Sequence, residues 1–297
     1  MPRFSEPLGE SAPADAELRT ATVSARFSLA HLTALKCPPP ELVYVAARVG
    51  YDSVSLRTIP LGVPGEPEYE LASNRELLRK TRVALTATGI SVSDIELACI
   101  HDDVDVRGYQ AAFEVAQSLG ARDVLCSIWA RDRGFYVDQF AALCELAGRY
   151  HLRVNLEFVA IAAVRTLTQA VDVLQAVGAP NSGLLLDAYH VDRAGTRVED
   201  LAALPRHWFN LCQLCDAPAA LPQSEEGLRV EVREQRLYLG EGGLDVAGLL
   251  ALTPPMTYSL EVPNLARLEE LGAAEHAART LDSARRYLGE HPRAAAG

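Results

Sequence analysis

The sequence predicts a single-domain (β/α)8 barrel, an α/β fold with eight parallel strands inside a ring of helices. Three observations carry that expectation. Short apolar runs alternate with longer amphipathic stretches about eight times along the chain. Those runs are too continuous for one-sided burial, so they read as parallel strands covered on both faces. The length, 297 residues, suits one barrel of roughly 250 residues with short additions.

The first strand is Arg26 to Leu32 (RFSLAHL), and the first helix opens near Pro39 and closes at Gly50. Proline at the start and glycine at the end follow the usual asymmetry of helices. The second strand, Asp52 to Arg57, leads into a Pro/Gly-rich loop from Ile59 to Tyr69 and a helix over Asn74 to Thr88. The third strand is Ile90 to Leu97, with its helix over Val106 to Leu119. Strand four is Asp123 to Ile128 with a helix over Tyr136 to Tyr150, and strand five is Leu152 to Phe158 with a helix over Thr168 to Val177. Strand six, Gly183 to Asp187, precedes a short helix near Val198 to Leu204, and strand seven is Trp208 to Cys215. A polar insertion then occupies about 216–243, with one short strand expected at Leu237 to Leu239. Helix seven is Val246 to Leu252, strand eight Thr257 to Val262, and helix eight Ala266 to Tyr287.

The competing architecture, an open doubly wound sheet, wants a Gly-rich phosphate loop after an early strand. Here the first strand runs into HLTALKCPPP instead. The GEGG stretch at Gly240 to Gly243 follows no strong strand and reads as a flexible turn before helix seven. Residues 1–22 read as a disordered N-terminal tail in which Pro2, Pro7 and Pro13 oppose helix formation. The barrel then spans 23–290, with a C-terminal tail over 291–297.

Hydrophobic residues make up 49% and charged residues 23% of the chain, as in a globule with a full core. No apolar run approaches the roughly 20 residues that cross a bilayer, and the N-terminus lacks the apolar segment of a secretory signal. The cytoplasm is the expected location. A formal net charge of -11 opposes general affinity for nucleic acid or anionic membrane. It leaves room for a local basic pocket that takes a phosphate or carboxylate. The six cysteines (Cys37, Cys99, Cys126, Cys144, Cys212 and Cys215) sit mostly in apolar runs, where a free thiol acts as a small buried hydrophobe. Cys212 and Cys215 have C-x-x-C spacing, but inside an expected strand and without a second Cys or His pair. A structural role is therefore favoured over redox or zinc chemistry.

In a barrel the chemistry sits where strands end and βα-loops begin. Strand five ends with Glu157, strand six with Asp187, strand seven carries Gln213, and strand eight carries Glu261. Any one of these alone has a plainer reading: a helix cap for Asp187, a satisfied core amide for Gln213, a partner for a nearby arginine. Together, on four consecutive strands, they fall on one rim. Clustered carboxylates repel one another, and a divalent cation resolves the conflict. The all-oxygen ligand set favours Mg2+ or Mn2+. Arg57, closing strand two, and Glu96, near the end of strand three, are candidates to complete a substrate pocket. Arg57 offers a fork of donors to an anionic group, or pairs with an acid on the rim. His31, His101 and Trp129 are further wall candidates. The insertion, with Arg229, Arg233 and Arg236, reads either as a lid or as a solvated charged loop.

These residues resemble the xylose-isomerase-like superfamily of sugar phosphate isomerases and epimerases. That group includes hydroxypyruvate isomerase, inosose isomerase and dehydratase, ketose 3-epimerases and 3-dehydroshikimate dehydratase. The matching stretches are NLEF (Asn155 to Phe158), LLLDAYH (Leu184 to His190), CQLCDAP (Cys212 to Pro218), LGEGGLD (Leu239 to Asp245) and SLEVPN (Ser259 to Asn264), with looser matches at GYDSVSLR (Gly50 to Arg57) and SDIEL (Ser93 to Leu97). The likeness covers the chain after about Thr22. It implies Glu157, Asp187, Gln213 and Glu261 as metal ligands, Glu157 and Glu261 also as the acid/base pair, and His190 as a contact to a substrate hydroxyl or carbonyl. Many members carry His where this chain has Gln213. Glutamine there is similar to hydroxypyruvate isomerase and some dehydroshikimate dehydratases, and it disfavours zinc. Members that cut DNA at abasic sites carry additional metal-binding histidines and a basic surface. Seven histidines and a charge of -11 are unlike them.

The implied substrate is a small polyol or keto compound. A metal that polarises its carbonyl acidifies the neighbouring C–H, one carboxylate removes the proton, and an enediolate forms. Return of a proton to the same carbon from the other face, by the opposite carboxylate, is epimerisation, to the adjacent carbon isomerisation, and loss of a β-hydroxyl is dehydration. The expected activity is isomerase or epimerase, with a dehydratase of the dehydroshikimate or inosose type as the alternative and a non-catalytic binding barrel behind both. Assembly into a homo-oligomer stays open.

Overall fold

In the computed structural model the described residues are 25–61 and 66–291. The expected N-terminal tail, and all but the first residue of the C-terminal one, lie outside them. The strands are β1 (Arg26–Leu29), β2 (Ser53–Arg57), β3 (Ser91–Ile100), β4 (Asp123–Ile128), β5 (Arg153–Glu157), β6 (Ser182–Asp187), β7 (Phe209–Leu214) and β8 (Thr257–Leu260). They pair in sequence order, all parallel, and β8 closes on β1. The chain is a single-domain (β/α)8 barrel, as expected.

The helices are α1 (Pro39–Val49), α2 (Arg75–Thr88), α3 (Gln110–Ser118), α4 (Arg133–Arg149), α5 (Leu167–Val177), α6 (Ala188–Arg193), α7 (Glu225–Glu234), α8 (Val246–Leu252) and α9 (Leu265–Glu290). Side-chain caps start many of them. Asn74, Asp132, Ser224, Asp245 and Asn264 each accept a backbone N–H from the first turn, and Thr166 with Gln169 forms a reciprocal capping box. Strand residues alternate between two cores. Val124, Cys126, Leu184, Leu186 and Cys212 pack outward under the helices, while Leu125, Leu185 and Leu211 form a separate cluster inside the barrel.

Several boundaries differ from the sequence reading. β1 ends at Leu29 because the chain turns into a 3-10 segment, His31–Ala34, tied sideways to its neighbours. The His31 ring accepts the Arg57 N–H, and the Thr33 hydroxyl donates to the Leu260 carbonyl. β3 runs three residues past Leu97, with a register irregularity between Ile95 and Ala98. The third helix begins as a separate 3-10 turn, Val106–Tyr109. α6 was not expected; it starts directly from the strand-end acid Asp187, which caps it. The insertion holds α7 rather than only a short strand, and Leu237 makes an isolated antiparallel bridge to Asp216.

The GEGG turn is fixed, not flexible. The Asp216 carboxylate accepts the N–H groups of Gly240, Gly242 and Leu244. A side chain on Gly242 would meet the Ala217 carbonyl oxygen at 2.1 Å, so only glycine fits there. All six cysteines are free, and none but Cys37 is more than slightly exposed. No helix among the described residues is long and apolar enough to cross a membrane.

Candidate active site

Alternation along the strands turns Asn155 and Glu157 inward on β5, Leu185 and Asp187 on β6, and Leu211 and Gln213 on β7. Glu157 and Asp187 are the last residues of their strands, Asp187 pairs with Gln213 across the sheet, and Glu261 follows the end of β8 with its N–H on the Leu214 carbonyl. All four are buried. Their polar atoms therefore meet above the Leu125, Leu185 and Leu211 floor. Gln213 Nε2 donates to Glu261 Oε1 at 3.0 Å. His190, on α6, places Nε2 at 3.9 Å from Glu157 and 4.0 Å from Asp187. One donor atom each from Glu157, Asp187 and His190 lie within 4.8 Å of one another.

Burial dominates the electrostatics. It pushes the Glu157 carboxyl well above the usual range, with Asp187 and Glu261 adding repulsion and Arg236 opposing. Glu261 is pushed up to about 8 by burial, again against Arg236 and with Asp187. Burial lowers His190 to about 4, so the ring is neutral at pH 7. The Ala160 N–H points at His190 Nδ1 at 3.3 Å. An acceptor at Nδ1 leaves the proton on Nε2, facing the two acids, and in that tautomer His190 is a hydrogen-bond donor rather than a metal ligand.

One residue central to this cluster comes from the insertion after β7. Arg236, two residues past α7, has a side chain that is 1% exposed, and its Nη1 lies 2.6 Å from Asp187 Oδ2 and 3.1 Å from Glu261 Oε2. Its guanidinium stacks 4.8 Å over the Tyr189 ring, and its Nε donates to the Val232 carbonyl. The arm that delivers it is anchored. Glu231 accepts from the Tyr189 hydroxyl and from Arg193 Nε, both at 2.9 Å. The sequence signal for this was slight: Ser224 as a cap and an apolar Leu228/Val232 spacing at i, i+4.

The other expected site residues divide. Arg57 and Glu96 line the cavity above the acids, but the Arg57 guanidinium is taken up by Glu96 Oε2 at 3.0 Å and Glu66 Oε1 at 3.1 Å. Ser55 donates to the other Glu96 oxygen. Trp129 lines the same cavity, half-buried, with its indole N–H on the Ser127 hydroxyl at 2.9 Å. His101 is exposed, bonds the neighbouring Asp102 carbonyl and is not brought to the cavity. His31 is wholly buried and serves as a fastener between Arg57 and Cys37, stacked on Tyr69.

The donor set suits a hard divalent cation on structural grounds. Gln213 Oε1 is buried with no hydrogen-bond partner among the described residues, a costly state that an ion would relieve. The carboxylates of Glu157, Asp187 and Glu261 are buried at the same strand ends, two of them with raised proton affinity. Such acids take up either protons or a metal.

Residues 43–284 match the model of a family described as xylose isomerase-like TIM barrel. A 3-dehydroshikimate dehydratase of Pseudomonas aeruginosa is 33% identical over 162 residues, covering 51% of this chain and 25% of that protein. An inosose isomerase of Bacillus velezensis is 25% identical over 169 residues, covering 51% of this chain and 58% of that protein. The matches thus span a quarter to somewhat over half of these curated relatives. Among solved structures, a zinc-bound protein named IOLI superposes with a TM-score of 0.74 at 18% identity, over 90% of this chain and 99% of that one.

Proposed function

The chain belongs to the xylose isomerase-like TIM barrel family, and on that premise we propose that it is a divalent-metal-dependent isomerase or epimerase of a small sugar-like hydroxy-carbonyl compound. The observation that carries the reading is the pair Glu157 and Glu261, buried in one cluster with raised proton affinity beside the unpartnered Gln213 oxygen. Glu157, Asp187, Gln213 and Glu261 would hold the ion. A bound Mg2+ or Mn2+ would polarise the substrate carbonyl and acidify the adjacent C–H.

The rest is work for side chains. Glu157 and Glu261 remove and return the proton, an exchange suited to carboxyls whose proton affinity burial has raised. His190 Nε2–H donates to a substrate oxygen. Trp129 and the Leu97 and Leu125 side chains form the apolar wall that keeps water from the transferred proton. Arg57 and Glu96, already paired, orient substrate hydroxyls from one side. A small polyol or keto compound is the proposed substrate, and the cytoplasm is the proposed location. Dehydration is the second reading, favoured by the 33% identity to a 3-dehydroshikimate dehydratase. It shares the first proton abstraction and differs in expelling a β-hydroxyl.

The test is solvent exchange. With Mn2+ present, a panel of ketoses, inososes and 3-dehydroshikimate is incubated in D2O and followed by mass spectrometry. One substrate should gain deuterium at the carbon beside its carbonyl, and Glu157→Gln and Glu261→Gln should slow this at least ~100-fold. A conjugated product absorbing in the ultraviolet selects dehydration. No exchange with any member of the panel, in metal-loaded protein, would remove the proposal.

A further inference from the structure

Four aspartates are buried among the described residues: Asp94, Asp123, Asp187 and Asp216. Three of them face partners suited to a charged carboxylate. Asp123 pairs with Arg153 at 2.7 Å, Asp187 pairs with Arg236 at 2.6 Å, and Asp216 collects backbone N–H groups. Asp94, on β3, has neither kind of partner among the described residues. Its carboxyl meets two serine hydroxyls instead, Ser55 at Oδ1 and Ser93 at Oδ2, the latter at 2.5 Å.

The number of hydrogens limits what this arrangement can be. The Ser55 hydroxyl also lies 2.6 Å from Glu96 Oε1, so one hydroxyl stands between two carboxyls. It has a single proton to give. With both acids ionised, one of the two contacts would set a charged oxygen against a hydroxyl lone pair. Ser93 likewise has one proton, for Asp94 or for the Val54 carbonyl at 3.1 Å, and sits 2.8 Å from the Ser28 hydroxyl. The cation of this region, Arg57, is engaged by Glu96 and Glu66. A buried carboxylate without a cation takes up a proton rather than remain charged.

We infer that Asp94 is a neutral carboxylic acid at pH 7 and a positioning residue for Glu96: Asp94 donates to Ser55 Oγ, Ser55 donates to Glu96 Oε1, and Glu96 keeps its charge for Arg57. Every contact in the chain except the longer one to Val54 then holds one hydrogen. Burial pushes the Asp94 carboxyl up to about 8, with Glu96 and, more weakly, Asp123 adding repulsion against the two serine hydrogen bonds. The charged groups around the cluster are Glu96 on the same strand, Arg57 on β2 with Glu66, and Asp123 on β4 with Arg153 of β5. Arg57 and Glu96 line the cavity above the strand-end acids, so a hidden acid sets one wall of the pocket. The use of that wall in catalysis rests on the activity proposed above, whereas the protonation of Asp94 stands on its own cluster.

The first test needs no variant to fold. In wild type labelled with carbon-13 at aspartate side-chain carboxyls, which leaves glutamates silent, one carboxyl should stay in its acid form at pH 7 and titrate near 8. Asp94→Asn should lack that signal. A wild type whose aspartates are all ionised at pH 7 overturns the inference. Thermal unfolding gives a second readout. The folded acid keeps its proton far above the range in which an unfolded aspartate, at about 3.9, loses it. Its contribution to Tm relative to Asp94→Asn should therefore decline between about pH 4 and about pH 8 and level off beyond. A difference that is flat or grows with pH overturns it too. The positioning step is read on Arg57 itself in nitrogen-15 arginine protein. Asparagine can still donate to Ser55 and leucine cannot, so the Arg57 Nε–H should exchange at least ~10-fold faster in Asp94→Leu than in Asp94→Asn. Equal exchange in the two overturns that step. A neutral Asp94 in a protein that turns over no substrate would remove the proposed activity alone, and an ionised Asp94 in an active enzyme would remove this inference alone.

Discussion

Gln213 is held at one end and bare at the other. Its Nε2 is bonded to Glu261 while its Oε1 is buried without a partner among the described residues. An unsatisfied buried acceptor costs about 1–3 kcal/mol, comparable to what the single bond at the other end contributes. Gln213→Leu, of similar shape, is therefore expected to change unfolding free energy by less than ~1 kcal/mol by chemical denaturation, while weakening Mn2+ binding at least tenfold by calorimetry. A loss of several kcal/mol with unchanged Mn2+ affinity would make Gln213 a core amide and nothing more. At this scale the strand-end polar residues were legible because each interrupts an apolar run at the position where a barrel strand must end. The fate of Arg57 was not. Its pairing with Glu96 is a neighbour-strand contact, but Glu66 reaches it from a loop whose path no periodicity encodes. Arg236 was illegible for the same reason, since its partner Asp187 lies 49 residues away and a long side chain leaves no trace in spacing.

At the scale of elements, the insertion after β7 is the part that the sequence described least well. Its helix, EEGLRVEVRE, has charges on most positions and only two apolar residues on its buried side, so it reads as solvated. The structure instead ties both of its ends. Glu231 holds the helix to Tyr189 and Arg193, and Asp216 gathers the Gly240 to Leu244 turn. Asp216→Ala would strip three distant buried or half-buried N–H groups of one charged acceptor, at a cost of about 2–4 kcal/mol. Thermal unfolding should show that loss. Limited proteolysis should show cleavage moving into 237–244 before the barrel opens. Unchanged stability with no new cleavage would mean that the turn is held by packing alone. The strands fared better, because both-face burial leaves continuous apolar runs, and β4 agrees with its expected limits at both ends. At β1 and β3, side-chain bonds and a register irregularity set the ends rather than hydropathy.

For the molecule as a whole, closure of the barrel explains why acids far apart in sequence become one cluster. Four consecutive strands, β5 to β8, run parallel around the ring and present their last inward positions to the same mouth. The eightfold alternation was enough to expect this ring and therefore the convergence of Glu157, Asp187, Gln213 and Glu261. It was not enough to show that a loop cation stands among them. If this convergence is a metal site, the stability of the fold depends on the ion. Wild type is heated with and without Mn2+ beside Asp187→Asn and Glu261→Gln. An ion at ~100 times its Kd stabilises the fold by about 2.7 kcal/mol, which for a chain of this size raises Tm by about 4 °C. Wild type should show that rise, chelator should reverse it, and both variants should lack it. A Tm that ignores Mn2+, Mg2+ and chelator alike in wild type would contradict it, leaving the acids as a structural cluster neutralised by Arg236 and protons.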